Sequence, residues 1–76
     1  MTDNSSKGAT YNERKEIADK RGIVADRLQM RGDLQEALRV QQDEILPIYI
    51  LLDEINHTAI TYGKIAEILQ LQGKFD

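Results

Sequence analysis

The sequence predicts an all-α protein built from antiparallel helix hairpins, and three observations lead to this prediction. Apolar residues recur at helical spacing in three successive stretches of the 76-residue chain. Glycines stand near the ends of the first and third stretches, where a left-handed residue commonly ends a helix. The segment that ends at Gly32 also recurs in part in the segment that ends at Gly73, as expected of a repeated helical element.

Helix one is predicted to begin at Thr10, because Thr10 and Glu13 have the spacing of a capping box. Residues 1–9 are polar and lack apolar periodicity, so we expect a flexible tail there. Gly32 is predicted to end the helix in the left-handed conformation. The predicted core face of this helix consists of Ile17, Val24, Ala25 and Leu28.

Helix two follows from Asp33 or Leu34 and is predicted to stop in the polar segment 53–56. Pro47 lies inside its apolar pattern and has no N–H to bond the carbonyl of Asp43. Since the periodicity continues in phase past the proline, we expect a kink rather than a break. The predicted core stripe consists of Leu34, Ala37, Leu38, Gln41, Ile45, Ile48, Tyr49 and Leu52.

Helix three is predicted to begin at Ile55 or His57, to extend to Gln72 and to be closed by Gly73. Residues 74–76 then resemble the first residues of a further helix. The predicted core face consists of Tyr62, Ile65, Ala66 and Leu69.

Composition places the chain among soluble globular proteins, with 41% hydrophobic and 30% charged residues and no cysteine. No stretch approaches the roughly 18 apolar residues of a membrane span, and residues 1–10 lack the apolar core of a signal peptide. We therefore predict a cytoplasmic protein. The net charge of −3 argues against nucleic acid as the partner, because phosphates require a basic surface.

The sequence offers no motif for catalysis. Neither a phosphate-binding loop, nor a nucleophile elbow, nor an acid–base pair is present, so we expect no enzymatic activity and no cofactor. His57 is the single histidine and there is no cysteine, so a zinc site would need carboxylates almost alone. We expect no metal, and we interpret His57 as a solvated residue at a helix end.

Two features of the sequence could indicate more specific functions, which we do not adopt. Arg31-Gly32-Asp33 spells the integrin-recognition tripeptide, but a helix cap, a turn glycine and an N-terminal acid explain it fully. Basic residues on one side of helix one would suit a nucleic acid, but Glu13 and Glu16 lie beside them. A solvated flank of mixed charge is the better interpretation.

An internal repeat appears when the sequence is shifted by 41 residues, which aligns residues 21–32 with residues 62–73. The helix pattern is carried by Ile65, Ala66, Leu69 and Gly73, and the turn with the next helix by Gly32, Leu34, Ala37 and Leu38. On these residues the sequence resembles the tetratricopeptide repeat (TPR) family, whose unit is a helix A, a turn and a helix B. The resemblance implies three helices, A, B and A′, within residues 10–76.

The sequence also departs from the family pattern. The TPR unit has about 34 residues, so a period of 41 residues implies an extra heptad, which we place near residues 47–52 of helix two. Arg21 stands where the family prefers a large aromatic residue. Gln41 and Glu44 stand where it prefers an aromatic residue and an alanine.

The resemblance implies a concave groove, lined by the A helices, that binds a peptide or another protein. The corresponding positions are Asp19, Gly22, Asp26, Gln29 and Met30 on helix one, and Ile60, Gly63, Glu67, Gln70 and Leu71 on helix three. We expect Asp26 and Glu67 to pair with basic side chains of a ligand. The alternative is that these residues are simply solvated helix positions.

The segment 46–52 is apolar around its whole circumference, so a single neighbouring helix cannot cover it. Leu46, Ile50 and Leu51 lie off the main stripe of helix two, and we expect them to mediate self-association into a symmetric homodimer. The predicted function is that of a non-enzymatic scaffold segment for protein–protein interaction. Two alternatives are a small helical nucleic-acid-binding domain and a regulatory segment of a larger enzyme.

Overall fold

The computed structural model describes the backbone of residues 3–75 and the side chains of residues 10–73. It confirms the all-α prediction, and the described residues contain no strand. The helices are α1 (Asp3–Met30), α2 (Leu34–Arg39), a π-helical segment (Val40–Ile45), α3 (Leu46–Leu51) and α4 (Ile55–Phe75). The three consecutive pieces α2, the π-helical segment and α3 are called the middle helix below.

The start of α1 differs from the prediction. The helix begins at Asp3, so Thr10 lies inside it and the pair of Thr10 and Glu13 does not cap a helix start. Extending an existing helix requires no new nucleation, which allows the weak helix formers before Thr10 to join it. Of the tail predicted for residues 1–9, residues 1 and 2 lie outside the described residues.

The turn between α1 and the middle helix depends on Gly32, which has a φ of 86° as predicted. The Gly32 N–H donates to the Gln29 carbonyl (3.0 Å), and the Asp33 N–H donates to the Leu28 carbonyl (2.9 Å). This pair of bonds is the Schellman motif, which satisfies carbonyls that a helix end leaves without partners. The sequence-based prediction of this turn is confirmed.

The turn before α4 repeats the same motif around Asp53. Its φ is 59°, and the N–H groups of Asp53 and Glu54 donate to the carbonyls of Ile50 (3.0 Å) and Tyr49 (2.9 Å). Aspartate tolerates the left-handed conformation better than most residues, although not as well as glycine. The polar stop predicted within residues 53–56 is confirmed.

The irregularity predicted near Pro47 takes the form of the π-helical segment that directly precedes α3. Pro47 lies in the first turn of α3, but helix precedes it without a gap, so its missing N–H removes one bond from the helical ladder. The chain thus changes helix type ahead of the proline instead of breaking, and helix continues to Leu51. The bend itself stays a prediction.

The core lies between α1 and the middle helix. Its buried residues form a cluster of Ala18, Ala25, Val40, Ile45 and Tyr49, against which Leu28 and Ile48 pack. The alanines on α1 are fully buried, and their small size lets the two helices approach closely. The stripe predicted for the middle helix is correct, since each of its eight residues is buried or half-buried.

Several predicted core positions on the outer helices are wrong. Ile17 is 52% exposed on α1, while Tyr62 and Leu69 are 54% and 48% exposed on α4. Ala66 is exposed as well. The predicted Ile65 is buried, together with Thr61 and Ile68. Because α4 is apolar over much of its circumference, its sequence pattern fits more than one rotation about the helix axis.

The end of α4 also differs from the prediction. The helix continues through Gly73 to Phe75, so Gly73 does not close it and residues 74 and 75 do not start a further helix. A glycine inside a helix costs about 1 kcal/mol relative to alanine, which is too little to force a stop.

Side-chain pairs define the helix directions. Tyr49 donates a hydrogen bond to Asp19, and Arg21 Nε lies 2.7 Å from Glu44 Oε1, so α1 and the middle helix are antiparallel. Between α1 and α4, Asp26 pairs with Lys64 and Gln29 with Glu67, so the residue numbers of the contacting pairs increase in the same direction on both helices. The two outer helices therefore lie parallel, side by side, on the middle helix.

The contact between Arg21 and Glu44 joins two residues that depart from the TPR pattern. Glu44 also accepts a hydrogen bond from Arg39, 2.7 Å away. These two guanidinium groups, first that of Arg39 and then that of Arg21, hold the pKa of Glu44 below its ordinary value of 4.5. Arg21, Arg39 and Glu44 thus form a network of ion pairs between α1 and the middle helix.

This network makes stability depend on pH in a defined direction. Because the folded-state pKa of Glu44 is depressed, its contribution is present above the unfolded value of 4.5 and is lost as the pH falls through the folded value. We expect Glu44→Gln to be less stable than the wild type at pH 7 and to lose less stability below pH 4.5. Urea unfolding at several pH values measures this, and parallel profiles for the two proteins would contradict it.

Candidate functional site

A groove runs between α1 and α4, and the middle helix forms its floor. Its first part has a volume of about 230 Å³. The residues that line it are Asp19, Gly22, Ile23 and Asp26 on α1, Gln41, Ile45 and Tyr49 below, and His57, Ile60, Thr61 and Lys64 on α4.

The groove continues toward the C-terminal ends of both outer helices. A second cavity of about 320 Å³ is lined by Asp26, Gln29, Met30, Lys64 and Leu71. The two cavities share Asp26 and Lys64, whose Oδ1 and Nζ atoms are 3.1 Å apart. This ion pair divides the groove into its two parts.

The floor of the groove carries the side-chain amide of Gln41. Gln41 is only 3% exposed and lines the first cavity. Among the described side chains, no hydrogen bond involves its amide group. The amide therefore reaches the groove without a partner from the protein, and it is available there to bind water or another molecule.

A polar cluster surrounds the N-terminal end of the groove. The Tyr49 hydroxyl donates to Asp19, and this bond is the main cause that holds the pKa of Asp19 below its usual range. Burial, and then the bond to Asp19, raises the pKa of Tyr49. Asp19 is therefore ionised at neutral pH and accepts a second hydrogen bond from Lys15, 3.2 Å away.

His57 lies within this cluster rather than in solvent at a helix end. Its ring centroid is 4.8 Å from that of Tyr49. Its Nδ1 atom is buried and lies 3.1 Å from Glu54 Oε1, although the approach does not have hydrogen-bond geometry. The backbone carbonyl of His57 accepts a hydrogen bond from Thr61 Oγ1 at 2.8 Å.

The structure brings most of the predicted ligand-facing residues together. Seven of them line the groove: Asp19, Gly22, Asp26, Gln29, Met30, Ile60 and Leu71. Glu67 reaches across to Gln29, with 3.0 Å between Oε1 and Nε2. Gly63 and Gln70 are exposed and line neither cavity.

Neither the floor of the groove nor Lys64 was predicted from the sequence as part of a site. Gln41 and Tyr49 appeared only as members of a core stripe. The available signal was the polarity of Gln41 at an apolar position, which we interpreted as a departure from a family pattern. The ion pairing of Lys64 with Asp26 has no local signal, because the two residues are far apart in sequence.

The residues predicted for self-association differ in exposure. Ile50 and Leu51 are 52% and 65% exposed, whereas Leu46 is half-buried. Their participation in a dimer stays a prediction.

Two further features were considered as sites. A wider depression of about 650 Å³ lies beside the Gly32 turn, lined mainly by polar residues from α2 and by Gln72, without a buried unpaired group among the described atoms there. Within the part of the chain described, no three His, Asp or Glu side chains are grouped so as to hold a metal ion. The groove is therefore the best candidate.

Comparisons with known proteins found no match. No protein-family model matches its sequence, and neither a curated protein nor a solved structure shows significant similarity to it. Among the described helices, none has the length and apolar character needed to cross a bilayer.

Proposed function

We propose that this protein is a non-enzymatic, protein-interaction module that binds a basic or amphipathic peptide segment in the groove between α1 and α4. The observation that carries the proposal is the Gln41 amide, which faces the groove from the floor without a hydrogen-bond partner among the described side chains. A primary amide offers both a donor and an acceptor, so it suits the main-chain N–H and C=O groups of a peptide.

The charges of the groove favour a basic ligand. Asp19 and Asp26 line the groove and Glu67 lies beside it, whereas the cations there are Lys64 and Lys15, which contacts Asp19. A lysine or arginine of the ligand can replace Lys64 as the partner of Asp26. Breaking the ion pair of Asp26 with Lys64 would also join the two cavities into one groove. Charge-assisted bonds of this kind are stronger than neutral ones.

Gly22 supports the same proposal. It lies in the middle of α1, where glycine is unfavourable relative to alanine by about 1 kcal/mol. A Cβ atom added there would meet no heavy atom of the protein within 4 Å, so internal packing does not require glycine. Because Gly22 lines the groove, its missing side chain leaves room for a ligand to approach the helix backbone.

The proposed family relationship is to the TPR-type repeats. It is supported by the recurrence of residues 21–32 in residues 62–73 and by the parallel placement of α1 and α4 on the middle helix. The pairing of Arg21 with Glu44 also accounts for two departures from the family pattern by a single compensating contact. A cytoplasmic location and a scaffolding role belong to this proposal.

Selection from a displayed library of random dodecapeptides tests the binding function. We expect the wild-type protein to enrich peptides containing lysine or arginine, with Kd values in the micromolar range. Asp26→Lys combined with Glu67→Lys should abolish binding of the selected peptides, because it replaces attraction with repulsion. Gln41→Leu should weaken binding at least tenfold, since it replaces the amide with an apolar side chain of similar size.

Glu16→Lys combined with Glu13→Lys is the matched control, because it changes charge equally on exposed positions of α1 outside the groove. This control should bind the selected peptides with nearly wild-type affinity. Equal losses in both double variants would show that only net charge matters and would refute the groove. Retention of the wild-type protein on heparin would favour the nucleic-acid alternative instead.

A further inference from the structure

The side of α4 that faces away from α1 carries an exposed stripe, which we call the α4 stripe. It consists of Ile55, Ala59, Tyr62, Ala66, Leu69 and Gly73, and each of these residues is exposed. The most exposed large side chain of the stripe is Ile55, at 73%. Steps of four and three residues alternate along the stripe, which is the spacing that places residues on one line of a helix that packs against another helix.

The α4 stripe is separate from both packed sides of α4. The side toward the groove carries Ile60, Lys64 and Leu71, and the side toward the middle helix carries the buried Ile65 and Ile68. The stripe is thus a third face, on which none of the described helices is seated.

The internal repeat identifies this face as one suited to helix packing. A shift of 41 residues relates Ala59, Ala66 and Leu69 to Ala18, Ala25 and Leu28 of α1. In α1 the two alanines are fully buried, and Leu28 packs against the same cluster. The same pattern of small and large residues is therefore packed against a helix on α1 but is exposed on α4.

Large and small residues alternate along the stripe in an order that matches an antiparallel copy of itself. With a two-fold axis at position 64, Ile55 faces Gly73 of the second copy, Ala59 faces Leu69, and Tyr62 faces Ala66. Each large side chain then meets a small residue. A parallel pairing would instead set Tyr62 against Tyr62 and leave voids between the alanines.

Charge also favours a second copy of this chain as the occupant. The stripe contains no ionisable group except the weakly acidic phenol of Tyr62, and the flanking residues are the uncharged Asn56, Thr58, Gly63, Gln70 and Gln72. Pairing two copies therefore brings no like charges together within the stripe. Gly63 flanks the proposed axis, and a Cβ atom there would meet nothing within 4 Å, so the helices can approach closely.

We propose that two copies of this protein pair through antiparallel α4 stripes. This interface differs from the one predicted at Leu46, Ile50 and Leu51, although Ile50 borders the stripe beside Ile55. A single helix pair lies near the lower end of stable interfaces, at about 1,000 Å² of buried surface, so a micromolar Kd is expected. The groove stays open in the pair, and peptide binding is independent of it.

Sedimentation equilibrium from 1 to 500 µM tests the pairing. The wild-type mass rises from 8.7 kDa toward twice that value, whereas Ala66→Lys and Tyr62→Glu each weaken association at least tenfold. Both residues are exposed in the single chain, so circular dichroism should show the helices intact. A wild-type protein that stays monomeric throughout this range overturns the proposal, and leaves a different helix as the partner of the stripe.

Mixing the two variants tests the register. Position 62 of one copy faces position 66 of the other only in the antiparallel pairing, so Tyr62→Glu and Ala66→Lys restore association when mixed. If the mixture stays monomeric, the register is refuted. Leu51→Lys is the control and leaves the dimer intact, since Leu51 is 65% exposed on the middle helix. A dimer that is lost with Leu51→Lys but kept with Ala66→Lys would place the interface on the middle helix.

Discussion

Replacing Ile68 with alanine is expected to lower the free energy of unfolding by about 3 kcal/mol, as is common for a buried isoleucine that leaves a cavity. Ile68 is fully buried and helps to hold α4 on the middle helix. A chain of this size has only a thin core, so such a loss is a large share of its total stability. Urea unfolding followed by circular dichroism measures the change.

Leu69→Ala is the matched control for this experiment. Leu69 is the neighbouring residue, was predicted from the sequence to be in the core and is 48% exposed in the structure. At micromolar concentrations or below, its replacement should cost less than about 1 kcal/mol, as is usual for exposed positions. A larger loss for Leu69→Ala than for Ile68→Ala would show that α4 is rotated relative to the structure described here.

Gly32→Val is expected to destabilise the protein by about 2 kcal/mol, through backbone strain rather than a steric clash. The φ of 86° at Gly32 is unfavourable for a β-branched residue, and no heavy atom lies within 4 Å of the position of its Cβ. The bonds from the N–H groups of Gly32 and Asp33 to α1 would weaken as the turn relaxes. Thermal and urea unfolding both report the effect.

Asp53→Gly should have the opposite effect on stability, because Asp53 has a φ of 59° in the same kind of turn. Glycine removes the left-handed penalty there, so stability should rise by about 0.5 kcal/mol. A stabilised Gly32→Val protein would mean that residues 31–33 continue the helix, which would refute the hairpin. A destabilised Asp53→Gly protein would refute the left-handed assignment at Asp53.

The features that the sequence predicted correctly are local ones. Gly32 ends a helix because its own backbone freedom suits a left-handed turn, and no distant contact is needed to foresee this. The stripe of the middle helix was equally predictable, since a helix packed on two sides must be apolar at regular spacing. Even the disturbance at Pro47 follows from the missing N–H of one residue.

The features that the sequence did not predict depend on contacts between helices. The rotation of α4, which buries Ile68 rather than Leu69, is set by packing, because both faces are apolar. The same is true of the pairs that join α1 to its neighbours, such as Arg21 with Glu44 and Asp26 with Lys64. The positions of the groove walls were predicted through the family resemblance, whereas its floor was not.

The two amide protons of the Gln41 side chain provide the most direct test of the proposed groove. In a ¹⁵N-correlated NMR titration with a lysine-containing peptide selected against the protein, we expect these signals to shift, together with the backbone amides of Gly22 and Asp26. The Gln41→Leu protein should lose affinity for that peptide. If the shifts instead cluster around Gly32 and Arg39, beside the wider depression, the groove between α1 and α4 is not the binding site.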